Sequence, residues 1–256
     1  MAMIIGTVDQ AVAAGRRRRF DEGQFRGIAD YLFETAPGAE PGPQALIARQ
    51  APGWTLPVHF HMQHQFQVVL RGSGSLGKHA LAAGSVHYTS PQSGYGPIVA
   101  GDDGLDYFTL RVLTDKGAWY LPENRNAMDR GLPKEQQWGN PQRGADPSGR
   151  QELLPLRSDG LGAWAYVATG SEVRCAEARS DAGRFHAVIR GEFRLHDVDL
   201  PAGSCVYTDR SEDEPTFIAT SPDSLLVIVQ FPHQALHNFV PPERRIAPSA
   251  RGVQVQ

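Results

Sequence analysis

Short apolar runs separated by turn residues dominate this chain. The runs are four to seven residues long and rich in Val, Ile, Phe, Tyr and Thr, and Gly, Pro, Ser or Asp bounds each of them. Runs of this kind are typical of β-strands, whereas helical periodicity is scarce. Strands at short intervals with turns between them predict an all-β protein built as a sandwich or a closed barrel.

The same pattern occurs twice, at a spacing of 119 residues. Three pairs of segments align in one register without a gap: Phe66–Gly72 with Phe185–Gly191, Leu81–Thr89 with Leu200–Thr208, and Tyr107–Val112 with Leu226–Phe231. The first pair shares its phenylalanine, valine, arginine and glycine, and the last pair matches in apolar character. Because self-similarity at one spacing indicates duplicated architecture, we predict a barrel that is built twice.

The repeat divides the chain into five parts. We predict an N-terminal extension over 1–43, a first barrel over 44–121, a linker over 122–160, a second barrel over 161–232 and a C-terminal tail over 233–256. The linker is poor in apolar residues and carries Pro133, Gly139, Pro141, Gly144, Pro147 and Gly149. In the extension, the apolar residues around Phe20 to Leu32 predict a short helix or strand packed on a barrel. The tail, with Pro241, Pro242 and Pro248, is expected to be extended.

Charge and cysteine content narrow the range of partners. The 256 residues carry a formal net charge of −3, which disfavours non-specific binding to nucleic acid or to an anionic membrane. The run Arg16–Arg19 is either a phosphate-binding arm or, as we prefer, a solvated stretch. Cys175 and Cys205 form no close-spaced pair. With neither a signal-peptide pattern nor a long apolar stretch, we expect a soluble, cytoplasmic protein.

One stretch of the first repeat carries a candidate metal site. His59 and His61 are alternate residues, so in a strand both imidazoles project from the same face into the barrel. Two neutral imidazoles so placed can bind Zn, Fe, Mn, Ni or Cu if at least one further ligand joins them. The alternative is a pair of hydrogen-bonded interior histidines that holds no metal.

The spacing around these histidines resembles the first motif of the cupin superfamily. In that motif a glycine is followed after five residues by His-x-His, then after three or four by glutamate, and after six more by glycine. Gly53, His59, His61 and Gly72 fall on this spacing, and Gln65 stands where the family usually has glutamate.

The second motif of the family places a last histidine ligand about eleven residues after its glycine. Counted from Gly84 through Pro91, this position falls on Tyr95. The resemblance therefore implies a bicupin, with two tandem cupin barrels and a degenerate metal site in the first. It implies a divalent metal of undetermined identity on His59 and His61, with Gln65 as a third ligand through its carbonyl oxygen. Tyr95 could join as a phenolate if the metal lowered its pKa.

Other polar residues of the first repeat are candidates for catalysis or ligand binding. Tyr95 and His64 are the first candidates for proton transfer, although His64 points away from His59 unless a bulge intervenes. His87 is an alternative ligand if it faces the same cavity. Gln67 and Tyr88 are expected to line that cavity and to contact a bound ligand.

The second repeat lacks the metal motif. Ala178, Ser180 and Arg184 occupy the positions of His59, His61 and Gln65. Arg184 and His186 are alternate residues that could share an inward face and bind a carboxylate, since arginine offers a bidentate fork. The alternative is that the two residues form a satisfied polar plug.

The bicupin resemblance implies several functions, including dioxygenases, decarboxylases, isomerases and storage proteins, and a homodimer paired through edge strands. The first hypothesis is a metal-dependent, dioxygenase-like oxidoreductase, or a lyase or isomerase, acting on a small oxygenated or aromatic molecule. The alternative is a non-catalytic small-ligand-binding or sensor protein whose metal site has decayed. Storage is poorly supported, because the composition shows no nitrogen-rich bias.

Overall fold

The computed structural model describes residues 3–115, 117–142 and 149–239. Gly144 and Pro147 of the predicted linker, and Pro241, Pro242 and Pro248 of the tail, lie outside these described residues. The strands up to the middle of the chain are β1 Ile4–Gly6, β2 Arg17–Phe20, β3 Gly27–Phe33, β4 Gln44–Gln50, β5 Thr55–Leu56, β6 His59–Phe60, β7 Gln65–Leu76, β8 His79–Leu81, β9 Val86–Thr89, β10 Ile98–Arg111, β11 Trp119–Tyr120 and β12 Gln136–Gly139.

The remaining strands are β13 Arg150–Leu154, β14 Gly162–Ala168, β15 Glu172–Val173, β16 Arg184–Arg190, β17 Glu192–Leu195, β18 Val198–Pro201, β19 Cys205–Thr208, β20 Phe217–Ala219 and β21 Ser224–Gln230. Helix α1 spans Val8–Ala13, and two 3₁₀ turns span Arg125–Ala127 and His233–Leu236. None of these helices is long and apolar enough to cross a bilayer.

The first barrel is built on a nine-stranded antiparallel sheet. Its main path runs β12-β9-β7-β10-β4-β3-β2, while β5 pairs with β10 and β8 with β7. The long strands β7 and β10 bend because their register shifts between Ala100 and Leu105 and again between Asp106 and Tyr107. Along β7 the pleat sends Gln65, Gln67 and Val69 into this barrel and the intervening side chains to the opposite face.

The second barrel repeats this arrangement in two sheets. A six-stranded sheet has the order β1-β19-β16-β21-β14-β13, and a four-stranded sheet has the order β15-β20-β17-β18. Strands β8, β9 and β10 begin 119 residues before β18, β19 and β20, at the spacing of the sequence repeat. The all-β, duplicated fold predicted from the repeat is therefore the fold observed.

The Arg-Gly pair that both repeats share lies within β7 in the first barrel and at the end of β16 in the second. Gly72 has a φ of 85° and Gly191 a φ of 70°. A Cβ on Gly72 would lie 2.2 Å from the carbonyl oxygen of Gly104, and one on Gly191 would lie 2.3 Å from Ser224 Oγ. Only glycine allows both this left-handed backbone and this close approach, which explains why the glycine recurs.

Segments outside the two repeats also contribute strands. In the predicted N-terminal extension, β1 joins the second barrel through β19, while β2 and β3 extend the sheet of the first. In the predicted linker, β12 pairs with β9 of the first barrel and β13 with β14 of the second. These edge strands are short and only partly buried, so their sequences lack the apolar alternation of the inner strands.

The two barrels share one aromatic core. Phe66 of β7 and Phe185 of β16, which align in the repeat, are both fully buried in it. Phe231 lies between them, with ring centroids 5.0 Å from Phe66 and 5.6 Å from Phe185. Phe33 stacks on Phe185 at 6.3 Å. The faces of β7 and β16 that point away from the barrel interiors thus pack against each other.

We expect Phe66→Ala to lower the free energy of unfolding by about 3–5 kcal/mol, because it leaves a cavity at this shared core. Denaturant titration followed by circular dichroism measures the change. Leu236→Ala, at a half-exposed side chain, is the control and should change stability little. A loss below about 1 kcal/mol for Phe66→Ala would mean that the barrels do not depend on this contact.

Candidate functional site

The structure brings together the four residues that the sequence pattern predicts for the metal site. His59 and Tyr95 form an isolated antiparallel bridge, in which each backbone N–H donates to the other residue's carbonyl oxygen, at 3.1 and 2.9 Å. The ring centroids of His59 and His61 lie 5.4 Å apart, and those of His59 and Tyr95 lie 4.5 Å apart. Gln65 begins β7 beside them and is fully buried.

A chain of hydrogen bonds links three of these side chains. His59 donates from Nδ1 to the carbonyl oxygen of Pro57 at 2.7 Å, so its Nε2 must accept. The Tyr95 hydroxyl lies 2.9 Å from that Nε2 and donates to it. The Tyr95 oxygen in turn accepts from Nε2 of Gln65 at 2.7 Å. Every donor in this chain has an acceptor without any bound ion.

Arg111, a residue that sequence reasoning missed, completes the network. It ends β10 opposite Gln44 and next to the pair formed by Leu110 and Phe66. Its Nη2 donates to Gln65 Oε1 at 2.5 Å, and its Nη1 donates to Gln44 Oε1 at 2.6 Å. Arg111 is only 4% exposed, and it forms no ion pair with a carboxylate of the described residues. A buried cation therefore lies at the centre of the predicted metal site.

His61 lies between this cation and an acidic residue. Its Nδ1 is 2.9 Å from Asp115 Oδ2, which also accepts from the backbone N–H of Met62 at 3.1 Å. Arg111 Nη2 lies 3.1 Å from Nδ1 and 3.3 Å from Nε2 of the same ring. With the His61 proton on Nδ1 and directed to Asp115, Nε2 is the nitrogen left to accept from the guanidinium. Asp115 thus orients the imidazole that accepts the hydrogen bond from Arg111.

Burial keeps the site uncharged apart from Arg111 and Asp115. Burial, with repulsion from neighbouring His61, lowers the pKa of His59 to about 3. Burial and the Arg111 charge lower the pKa of His61, although Asp115 opposes them. Burial also raises the pKa of Tyr95 above its ordinary value. Both imidazoles and the phenol are therefore neutral at ordinary pH.

As arranged, these residues do not fit a divalent metal. A metal would need His59 Nε2, His61 Nε2 and Gln65 Oε1. The one lone pair of each imidazole nitrogen already accepts a hydrogen bond, and Gln65 Oε1 accepts one with one of its two lone pairs. Two of these bonds come from a guanidinium, whose charge would repel a dication at that distance. In the part of the chain that the structure describes, no cluster of three or more His, Cys, Asp or Glu residues could hold a metal.

Gln67 and His87 do face the interior of the first barrel, as predicted for Gln67. His87 Nδ1 lies 3.0 Å from Gln67 Oε1, and its Nε2 lies 3.3 Å from Gln136 Oε1. Together with Ser85, Tyr107 and four aliphatic side chains they line a cavity of about 10 Å³. That volume suits about one water molecule, so this cavity has no room for a substrate.

The structure corrects the placement of Tyr88. The pairing of β9 with β7 sets Tyr88 opposite Phe66 and His87 opposite Gln67, so Tyr88 faces the core between the barrels and not the cavity. His64 lies on that same side, with Nδ1 2.7 Å from the Tyr88 hydroxyl and its ring against Phe239. Burial lowers the pKa of His64 to about 4. The two predicted proton-transfer residues, Tyr95 and His64, are therefore not brought together.

In the second barrel, Arg184 and His186 meet a glutamate of the same chain. Arg184 is fully buried, and it donates from Nη1 to Glu214 Oε2 at 2.8 Å and from Nε to Gln230 Oε1 at 2.6 Å. Its Nη2 donates to the carbonyl oxygen of Glu177 at 2.6 Å. His186 Nε2 lies 3.3 Å from Glu214 Oε1. This arrangement is the satisfied polar plug weighed above as an alternative to a ligand site.

The same three positions are in contact in both barrels. Gln65, Tyr95 and Arg111 of the first barrel match Arg184, Glu214 and Gln230 of the second at the 119-residue spacing. The exchange of arginine and glutamine between positions 119 residues apart was therefore visible in the sequence, and it could have identified Arg111. Asp115 lies beyond the aligned segments, and no sequence signal marks it.

Comparison with solved structures supports the fold. The bacterial pirin YhhW from Escherichia coli, in complex with nickel(II), matches with a TM-score of 0.55 and 12% identity, over 90% of this chain and 100% of that chain. Salicylate 1,2-dioxygenase from Pseudoaminobacter salicylatoxidans, in adducts with gentisate, matches with 0.52 and 14%, over 90% and 81%. A variant of oxalate decarboxylase from Bacillus subtilis matches with 0.53 and 13%, over 88% and 75%.

No protein-family model matches this chain, and no curated protein matches it by sequence. At identities of 12 to 14%, these likenesses establish the fold and nothing finer. These neighbours are cupin-fold proteins, so the all-β fold predicted from the repeat, and the cupin type that the motif resemblance implied for it, are confirmed.

The buried histidines predict a loss of stability in acid. Burial lowers the pKa of His87 to about 3 in the folded protein, whereas a histidine of the unfolded chain titrates near 6.5. Between these values the unfolded state binds more protons, so stability falls as pH is lowered from about 6.5, by up to about 1.4 kcal/mol per pH unit for this histidine. His87→Gln should remove that contribution in denaturant titrations between pH 7 and pH 5.

His196→Asn is the matched control for this measurement. His196 is exposed and has a φ of 51°, a backbone conformation that asparagine tolerates. Its pH profile should overlay that of the unmodified protein. If His87→Gln also left the profile unchanged, the folded protein would not be holding His87 neutral.

Proposed function

We propose that this protein is a metal-independent, non-catalytic small-ligand-binding protein built on a duplicated cupin fold. The observation that carries the proposal is the Arg111 guanidinium, which donates to Gln65 and His61 where a metal would need their lone pairs. A fixed cation can hold those acceptors in place but offers no open coordination position to a substrate. The cavity beside Gln67 and His87 has space for about one water molecule.

Acid–base chemistry without a metal is also poorly supported at this site. A general base works best with a pKa near the operating pH, whereas burial holds that of His59 near 3. Burial moves the pKa of Tyr95 upward, away from neutrality. The neutral pair instead serves as a rigid, satisfied connection between β6 and the segment that carries Tyr95.

The second candidate is the metal-dependent, dioxygenase-like enzyme expected from the motif resemblance. One observation favours it: Asp115 holds His61 Nδ1, which is how a carboxylate orients a metal-binding histidine. The nickel(II)-bound pirin of the same fold is consistent with it. For this candidate Arg111 would have to leave its acceptors, which the proposed function does not require.

Metal analysis separates the two candidates. Protein purified without an affinity tag should contain far less than one equivalent of Fe, Mn, Ni, Zn or Cu by plasma mass spectrometry. His59→Ala and His61→Ala should leave that content unchanged, because these residues bind no metal in the proposed function. A full equivalent that either substitution removes would contradict the proposal and support the enzyme.

A carboxylate at position 65, combined with removal of the guanidinium at position 111, should create a metal site. We expect Gln65→Glu/Arg111→Gln to bind Ni²⁺ at least about tenfold more tightly than the unmodified protein, since it adds a carboxylate ligand and removes a guanidinium. Glutamine fits this position in the second barrel, where Gln230 occupies it. Calorimetric titration measures the affinity, and Arg194→Gln, at an exposed arginine, is the control. Equal affinities would mean that Arg111 does not exclude the ion.

A further inference from the structure

The C-terminal segment of the chain crosses from the second barrel to the first. The 3₁₀ turn His233–Leu236 stays with the second barrel, because its first backbone N–H donates to the carbonyl oxygen of Asp159, in the loop between β13 and β14, at 2.8 Å. The residue after this turn has an extended backbone, with a φ of −78° and a ψ of 122°. Asn238 and Phe239 then reach Gln63 of the first barrel. The described chain therefore ends in contact with the barrel that it left.

The side-chain amide of Gln63 binds the backbone of this segment. Its Nε2 donates to Asn238 Oδ1 at 2.8 Å and to the carbonyl oxygen of Phe239 at 3.1 Å. Its Oε1 accepts from the backbone N–H of Phe239 at the longer distance of 3.5 Å. An amide that bonds both the N–H and the C=O of one residue takes the place of a neighbouring strand. Contacts of this kind recognise an extended peptide backbone whatever side chain it carries.

A ring of the first barrel contacts the side chain of Phe239. The ring centroids of Phe239 and His64 lie 6.0 Å apart and their planes are 62° apart, an edge-to-face arrangement. Tyr88 fixes the His64 ring, because its hydroxyl lies 2.7 Å from Nδ1 and its own ring stacks on the imidazole at 6.0 Å. His237 also lies against Phe239, with ring centroids 4.6 Å apart. The backbone contact at Gln63 is therefore combined with a contact that favours an aromatic side chain.

The loop between β6 and β7 presents these two side chains, and bonds that do not involve the C-terminal segment hold it in place. The backbone N–H of Gln92 donates to the carbonyl oxygen of His61 at 2.7 Å, and that of Met62 donates to Asp115 Oδ2 at 3.1 Å. Among the described residues, every hydrogen bond between the segment and the first barrel involves Gln63. One amide and one ring thus attach the segment, whereas β1, which crosses in the opposite direction, forms a backbone ladder with β19.

We propose that Gln63 and His64 form a docking site for an extended peptide with an aromatic side chain, and that residues 238–239 occupy it as an intramolecular latch. Because one amide and one ring hold the latch, a second peptide of the same kind can displace it. The loop that receives the latch also carries His61, so the latch closes beside the Arg111 network. The inference goes beyond the proposed function and does not depend on it, because neither docking residue bonds to the guanidinium.

Nuclear magnetic resonance relaxation of the isotope-labelled full chain tests the latch. The Phe239 amide of the unmodified protein should be as ordered as a strand, with an order parameter of about 0.85. In Gln63→Leu, which removes all three hydrogen bonds, that value should fall below about 0.6. Leu236→Ala, at a half-exposed side chain of the preceding turn, is the control and should leave the value unchanged. A mobile Phe239 amide in the unmodified protein, or an ordered one in Gln63→Leu, would overturn the proposal.

Peptide titration of the full-length Phe239→Ala variant tests the docking site itself, because this variant loses the ring that fills the site and keeps Gln63. A capped peptide of residues 237–242 should shift the Gln63 side-chain amide signal saturably, with a Kd on the order of 1 mM. The same peptide with alanine in place of its phenylalanine should not bind.

The unmodified protein should bind the phenylalanine peptide at least about tenfold more weakly, because its own segment competes at a high effective concentration. Circular dichroism verifies the fold of each variant. The absence of a saturable shift, equal binding of the two peptides, or equal binding by the two proteins would each contradict the proposal.

Discussion

A guanidinium buried inside a barrel must find acceptors for its N–H groups, because it cannot give up its charge. Arg111 finds them on Gln44, Gln65 and His61 for its two terminal nitrogens, whereas its Nε is buried without a partner among the described residues. Gln65 then has to turn its amide nitrogen toward Tyr95, and Tyr95 has to turn its proton toward His59. The orientation of each polar side chain at the predicted metal site thus follows from one buried cation.

Duplication shows how the same positions carry different charges. The contact between Gln65 and Tyr95 recurs as the ion pair of Arg184 with Glu214, and the contact between Gln65 and Arg111 recurs as that of Arg184 with Gln230. In the second barrel the arginine has a carboxylate partner among the three positions. In the first barrel a phenol takes that place, and Asp115 acts on the cation through His61.

The fold could be predicted well because its signals are local and repeated. The short apolar runs, the shared Arg-Gly pair and the 119-residue spacing all reappear in the paired strands of the structure. Strands β12 and β13 were not predicted, because short edge strands bury little apolar surface and their sequences resemble that of a linker. Tyr88 was assigned to the wrong face because the face of a strand residue depends on its pairing register, which sequence alone left open.

The site was harder to predict than the fold. The motif spacing correctly predicted that His59, His61, Gln65 and Tyr95 lie together. It could not predict that a guanidinium, and not a metal, contacts them. Arg111 reaches the site from a strand some fifty residues further along the chain, through pairing that only the folded sheet defines. The exchange of arginine and glutamine between matched positions of the two barrels could be read from the sequence. Which side chains these residues contact could be seen only in the folded structure.

Crystallography with anomalous scattering, on tag-free protein soaked in NiCl₂ and measured above and below the nickel edge, tests this account most directly. The account predicts Arg111 Nη2 in density between Gln65 and His61, and no anomalous peak beside His59 or His61. A nickel peak at bonding distance from both imidazoles, with Arg111 turned away from Gln65, would contradict it.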